Sequence, residues 1–265
     1  MDHRASDKIS EAILDALEAG PLTRKELASG VCGLLGTQAA KWIEHSWGGV
    51  VKCLALEGHV CFGPSLGNET TYVRVDNWLR DSAENNGNSG KIPQDEASME
   101  LIRRYLRAYG PADMRDYCAW SGLRAREAKG PWQALRGELV PVNVDGRNLW
   151  LLSEDVDALK ATKTEPNIVR LLPNFDSYLL AHKNKDHIVY RDYYKQIYRS
   201  AGWIAPVILA NGQAIGTWSC RRKRNRIQVE LTSFKPLAPG VCNMAKAEAK
   251  DLGRFLNTEC EVLLA

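Results

Sequence analysis

The sequence predicts an α+β fold: two copies of a helical unit that ends in a β-hairpin, then an antiparallel, barrel-like β domain with a C-terminal helix. Three observations predict it. A helix, a Gly-Pro break and a second helix occur twice, from Ile13 and again from Arg103. Each copy is followed by paired runs of β-branched and apolar residues around turn-forming residues. From about residue 165 onward the strand-like runs dominate, and one pair of them flanks the cationic run Arg221-Arg222-Lys223-Arg224-Asn225-Arg226.

The repeat sets the domain limits. Ile13 to Leu27 matches Arg103 to Tyr117, with Gly20-Pro21 against Gly110-Pro111. In both, an amphipathic helix is expected to stop at the glycine in a left-handed conformation, because proline cannot continue it. A second helix then opens on a capping residue with its reciprocal acid at the third helical position, Thr23 with Glu26 and Asp113 with Asp116. In the first copy, Trp47, Val50, Val51 and Leu54 recur at helical spacing and Gly58 ends that helix. His59 to Phe62 and Thr70 to Arg74 follow as strands, joined by the loop Gly63 to Asn68. In the second copy, Trp132 and Leu135 mark the third helix, and Leu139 to Val144 with Asn148 to Leu152 form a hairpin on the Asp145-Gly146 turn. Three helices and a two-stranded wing make a winged helix. The units are therefore 6–80 and 96–160, with a polar linker over 81–95.

The last domain, 165–265, is built differently. Ile168 to Leu172, Trp203 to Leu209, Gln213 to Trp218 and Ile227 to Leu231 read as strands, with an Asn211-Gly212 turn and a closing helix from Cys242 to Phe255.

Bulk composition excludes several classes. The 265 residues are 45% hydrophobic and 25% charged, the profile of an ordinary globular chain. No apolar run approaches the ~18 residues of a membrane span, and the N-terminus lacks the apolar core of a secretion signal. A cytoplasmic, nucleoid-associated protein is expected. Seven cysteines without a C-x-x-C pair argue against a disulfide framework or a zinc module. Cys53, His59 and Cys61 with His45 match no common ligand spacing, so neither a metal nor another cofactor is expected.

Charge carries the functional reading. The net charge is only +3, yet five cations fall within six residues from Arg221 to Arg226. Such a run repels itself, and its concentration at a hairpin tip points to an anion such as the DNA backbone. The alternative is a solvated turn that keeps an edge strand soluble. A second cluster, His182-Lys183-Asn184-Lys185-Asp186-His187, serves equally well as a surface loop or a DNA contact. Candidate phosphate contacts are Lys41, Lys52, the wing residue Arg74, His182, Lys183 and Lys185. The hairpin adds Arg221, Arg222, Lys223, Arg224 and Arg226.

Several runs also resemble a known family. Trp47-Gly-Gly-Val-Val-Lys52, Cys61-Phe-Gly-Pro64, Ala119-Trp-Ser-Gly-Leu123, Leu171-Leu-Pro-Asn-Phe-Asp-Ser-Tyr-Leu-Leu180 and Gly216-Thr-Trp218 are similar to those of the bacterial winged-helix DNA glycosylases that unhook interstrand crosslinks, the AlkZ-like family. The resemblance runs from about Ile9 to Leu263. It implies three tandem winged helices around a β-barrel, cleavage of the N-glycosidic bond of alkylated purines, and a Gln-apolar-Gln or Gln-apolar-Asp signature on the first winged helix. On this resemblance the two units here are expected to align with the second and third, with no counterpart of the catalytic first unit in this sequence. Neither signature occurs anywhere in the chain. Gln228-Val-Glu230 is superficially similar but sits on an expected strand, and Gln38 has no polar partner two positions on. The expected function is binding of double-stranded DNA, damaged or not, without the usual catalytic motif. The alternatives are an active monofunctional glycosylase, in which another group positions water and stabilises the sugar cation, and a transcription regulator or protein-interaction module.

Overall fold

The computed structural model describes residues 3–44, 49–79, 92–163 and 168–265. The chain divides into two compact units, 1–91 and 92–265.

The first unit opens with α1 (His3–Ala16), a 3-10 turn over Leu17–Ala19 and the short strand β1 (Leu22–Thr23). Then come α2 (Arg24–Leu35), α3 (Thr37–Glu44), α4 (Val50–Leu56), β2 (Val60–Phe62), β3 (Thr71–Arg74) and α5 (Val75–Trp78). Ile9 and Ile13 on one face of α1, with Leu17 in the turn after it, meet Leu27, Val31, Ile43, Val50 and Leu54 in one core. Each such side chain, fully withdrawn from water, contributes about 1.5–3 kcal/mol. The Thr23 capping box forms as the sequence indicates: the Thr23 N–H donates to Glu26 Oε2 at 2.7 Å, and the Glu26 N–H donates to Thr23 Oγ1 at 3.3 Å. Gly58 ends α4 at φ 81°, letting the His59 N–H reach back to the Leu54 carbonyl at 2.8 Å. The three strands form an antiparallel sheet in the order β1-β3-β2. Trp47 and His45 lie outside the described residues.

In the second unit α6 (Gln94–Tyr109) begins inside the segment read as a linker, most of which lies outside the described residues. It is followed by α7 (Met114–Ser121), α8 (Ala125–Ala134) and the hairpin β4 (Leu139–Val144) and β5 (Arg147–Leu152). The hairpin turns on Asp145 and Gly146 at φ 50° and 79°, as a two-residue turn of that sequence requires. The break after α6 corrects one expectation. Gly110 is extended (φ −66°, ψ 153°), not left-handed. Glycine is needed there for space: a Cβ would stand 2.4 Å from the Leu106 carbonyl oxygen and 3.3 Å from Leu151 Cδ1. Ile102, Tyr105, Leu106, Tyr117, Trp132 and Leu135 form the core between these helices and the hairpin.

After the short helix α9 (Val156–Ala161), the chain builds one five-stranded sheet. Its strands are β6 (Val169–Leu172), β7 (Val207–Ala210), β8 (Gln213–Arg222), β9 (Arg226–Ser233) and β10 (Glu259–Leu264). Between β6 and β7 lie two single-turn helices, α10 (Ser177–Leu180) and α11 (Tyr194–Ile197). Helix α12 (Pro239–Phe255) joins β9 to β10.

Two sequence expectations fail here. The sheet is open, in the order β10-β9-β8-β7-β6, and is not a barrel. It is also mixed, because β10 runs parallel to β9. The cause is the helical crossover: a helix long enough to return along the sheet delivers the next strand in the same direction. Both faces are covered, so no closure is needed to hide an apolar surface. Ala245 and Ala249 of α12 pack on Ile227, Val229 and Leu231. On the opposite face Leu179, Ile188, Val189 and Ile197 pack on Val207 and Ala214. The expected strand over Trp203 to Leu209 shrinks to Val207–Ala210, since Pro206 has no N–H to give to a ladder.

Candidate nucleic-acid interface

The cationic run is a hairpin tip, but its cations are distributed otherwise than expected. Strand β8 continues through Arg221 and Arg222 and β9 already starts at Arg226, so only Lys223 and Arg224 with Asn225 make the turn, closed by Lys223 N–H on the Arg226 carbonyl at 2.8 Å. Arg222 pairs with Ile227 and Arg221 with Gln228. Cross-strand partners share a face, so Arg222 projects on the α12 side and Arg221 on the other. Arg221, Arg222, Lys223 and Arg224 are all exposed, and none forms an ion pair among the described residues. Arg226 differs: its Nε lies 3.3 Å from Glu261 Oε2, which withdraws it from the free set.

The second cluster is a docked loop, not a free one. Buried Tyr105 donates its hydroxyl to the Ala181 carbonyl at 2.9 Å, and burial pushes that phenol well above its usual range. The Lys183 N–H donates to Asp116 Oδ1 at 2.9 Å. Asp116 is 1% exposed and its other oxygen accepts from the Asp113 N–H at 3.2 Å and from Arg147 Nη2 at 3.3 Å. One carboxylate therefore caps a helix and ties the loop and the hairpin to it. Lys185 turns inward, its Nζ 2.6 Å from the His182 carbonyl and 5.4 Å from the Tyr198 ring centre, and burial lowers its pKa. That geometry removes Lys185 from the candidate phosphate contacts, whereas Lys183 keeps an exposed side chain. His182 is half-buried and sets its ring edge-on against His187, centroids 4.9 Å apart.

In the first unit Lys41 on α3 and Lys52 on α4 are exposed. Arg74 is already ion-paired: its guanidinium sits 2.8 Å from Glu18 and 2.5 Å from Asp76. That hydrogen-bonded pairing holds the Asp76 carboxyl down at about 2. Arg74 thus stands beside two carboxylates, and the pattern of a lone cation on a strand gave no sign of them.

Gln228 and Glu230 share the β9 face opposite α12, as their alternation indicates. Gln228 Nε2 donates to Glu261 Oε2 at 3.1 Å. This places Gln228 in a polar contact between β9 and β10. Among the described residues no His, Cys, Asp and Glu side chains cluster closely enough to hold a metal ion. No helix of those residues is long and apolar enough to cross a membrane. The residues that sequence reasoning missed are Asp116 in its role as an anchor and Arg147. Their signal was the capping box itself, which shows that Asp116 is a cap but not that a distant loop closes over it.

Comparison with known proteins agrees with this architecture. A family model described as DNA glycosylase AlkZ-like matches residues 1–255. The interstrand DNA cross-link repair glycosylase of Streptomyces sahachiroi is 34% identical over 221 residues, 81% of this chain and 58% of that protein. The chain thus spans little more than half the length of that relative. The solved structure of Streptomyces sahachiroi DNA glycosylase AlkZ superposes with a TM-score of 0.74 at 27% identity, covering all of this chain and 70% of that one. With the family model matched over nearly its whole length, the chain belongs to the AlkZ-like family of DNA glycosylases.

Proposed function

We propose that this chain binds duplex DNA through two tandem winged helices and a projecting cationic hairpin, and that it does so without releasing a base. The observation that carries the reading is the β8–β9 tip, where four exposed cations stand without ion-pair partners among the described residues. Cations held at a hydrogen-bonded tip without ion-pair partners among the described residues gain from releasing the counterions condensed on DNA. Lys41, Lys52 and Lys183 extend the set. The winged-helix reading rests on the order of helices and hairpin in each half, and the domain limits 6–80 and 96–160 follow from it. Double-stranded DNA, damaged or not, is the partner, and the nucleoid is the expected location.

The hairpin is tested by Arg222→Ala, Lys223→Ala and Arg224→Ala together. Each lost phosphate contact removes about 0.9 from the slope of log affinity against log salt, so the triple variant should lose ~2.7. These residues lie at an exposed tip, and the fold should be untouched. Unchanged affinity and slope in a folded triple variant would leave the run as a solubilising turn.

The second reading, an active glycosylase, is favoured by likeness to the Streptomyces sahachiroi interstrand DNA cross-link repair glycosylase. Against it stands the absence of Gln-apolar-Gln or Gln-apolar-Asp from this sequence, together with the polar contact of Gln228 with Glu261. Binding the ground state alone does not lower a barrier. An oligonucleotide carrying N7-methylguanine should therefore show no alkali-labile sites above the protein-free control after incubation with the chain. Base release that disappears in Glu230→Gln would replace the binding reading with the catalytic one.

A further inference from the structure

The second unit contains a half-enclosed cavity of about 520 Å³, within the range of ~300–1,000 Å³ usual for small-ligand sites. It lies between the end of α6, the β4–β5 hairpin and the 182–187 loop. Four rings face it: Tyr109, Tyr178, His182 and His187. Its polar groups include Asn184 and Gln213. Asn184 Oδ1 already accepts from the Asp186 N–H at 2.8 Å, which fixes that amide with its NH₂ as the donor left to offer. Buried His182 Nδ1 has no hydrogen-bond partner among the described residues. Such nitrogens in native proteins call for an explanation.

An adjoining basin of about 410 Å³ shares Arg147, Asn184 and Asp186 with this cavity and adds Arg115 and Lys183. The acids there are already engaged: Asp113 Oδ1 accepts the N–H groups of Arg115 and Asp116, Asp116 holds Lys183 N–H and Arg147, and Asp186 Oδ2 accepts from Arg191 Nη2 at 3.2 Å. Arg115 and Lys183 are exposed and form no ion pair among the described residues.

We infer that the cavity is a binding site for a purine nucleotide, the base among the four rings and the phosphate in the basin beside Arg115, Arg147 and Lys183. Aromatic walls select a planar ring, and side-chain NH₂ donors read an acceptor edge such as N7 and O6 of guanine. A polyanion in the cavity itself is disfavoured by Asp145, which lines the cavity and not the basin. His187 keeps an exposed edge, and partial burial, His182 and Arg147 lower its pKa, which favours the uncharged ring that stacks on a neutral base. The base has two sources, a free nucleotide or an unpaired residue of a strand. This site is separate from the hairpin tip, so either reading can fail alone.

The test uses the full chain with dGMP, a duplex bearing one extrahelical guanine, and the same duplex fully paired. dGMP should bind and should slow diethyl pyrocarbonate modification of His187 in the wild-type protein, which needs no variant. Asn184→Leu should weaken dGMP binding at least about tenfold, the worth of one good hydrogen bond to a base edge, while paired-duplex binding and its salt slope persist. The hairpin triple variant should keep dGMP binding. Preference for the bulged duplex over the paired one, lost in Asn184→Leu, identifies a strand as the source; dGMP binding without that preference identifies a free nucleotide. If neither dGMP nor the bulge protects His187, or if a folded Asn184→Leu protein binds dGMP as the wild type does, the site does not exist.

Discussion

Replacing Asp116 by alanine is expected to destabilise the second unit by several kcal/mol, a large effect for one side chain that touches no ligand. The carboxylate is 1% exposed and accepts from three donors that lie far apart in sequence, the N–H groups of Asp113 and Lys183 and the guanidinium of Arg147. Its removal leaves two part-buried backbone donors without an acceptor, at about 1–3 kcal/mol each. Arg147 also loses its buried partner and, among the described residues, retains only Asp113, 3.7 Å away. The expected sum is about 3–5 kcal/mol, the range for breaking a buried charged network. Asp116→Asn keeps the shape and one acceptor oxygen, and should lose roughly half as much. Urea unfolding followed by tryptophan fluorescence measures both. A loss below about 1 kcal/mol for the alanine variant, with an unchanged dependence on urea, would show that the loop is held by Tyr105 and packing alone.

What was legible in the sequence was local. The capping boxes at Thr23 and Asp113, the Asp145-Gly146 and Asn211-Gly212 turns and the end of α4 at Gly58 depend on neighbours within a few residues, and all appear where the sequence puts them. What failed depends on contacts made at long range. Strand β10 escaped notice because Glu259 and Glu261 interrupt its apolar residues, and its direction is set by the helix before it. The barrel expectation failed for the same reason: whether a sheet closes depends on what covers its faces, and alternation along a strand carries no record of that.

The candidate contacts divide along the same line. Exposure of Lys41, Lys52 and Arg221 to Arg224 follows from polar positions on amphipathic elements. The engagement of Arg74 by Glu18, of Arg226 by Glu261 and of Lys185 by a backbone carbonyl rests on partners elsewhere in the chain. Charge density in a sequence therefore overstates the cations free to meet phosphate. Three of the eleven candidates are internally neutralised or turned inward, and His182 belongs to the cavity wall. The hairpin remains the strongest candidate because Lys223 and Arg224 in its turn extend past every acid the sheet provides, not because the run is dense.

Trp132→Ala is expected to cost a further ~3–5 kcal/mol, the range for truncating a buried aromatic side chain. Trp132 is 5% exposed on α8 and sits 6.0 Å from the Tyr117 ring in a cluster that continues through Tyr105 and Trp120. The tilted ring pairs add about 0.5–1.5 kcal/mol beyond area burial. The same cluster positions the Tyr105 hydroxyl on Ala181, so loosening it should also release the 182–187 loop. Two readouts separate packing from anchoring. Urea unfolding should show the full loss for Trp132→Ala and about a third of it or less for Trp132→Phe, which keeps most of the ring volume. Amide exchange at Lys183 should accelerate in Trp132→Ala well beyond its acceleration in Trp132→Phe. If exchange at Lys183 is unchanged while stability falls, the loop is held by Asp116 alone and the aromatic cluster supports only the helices.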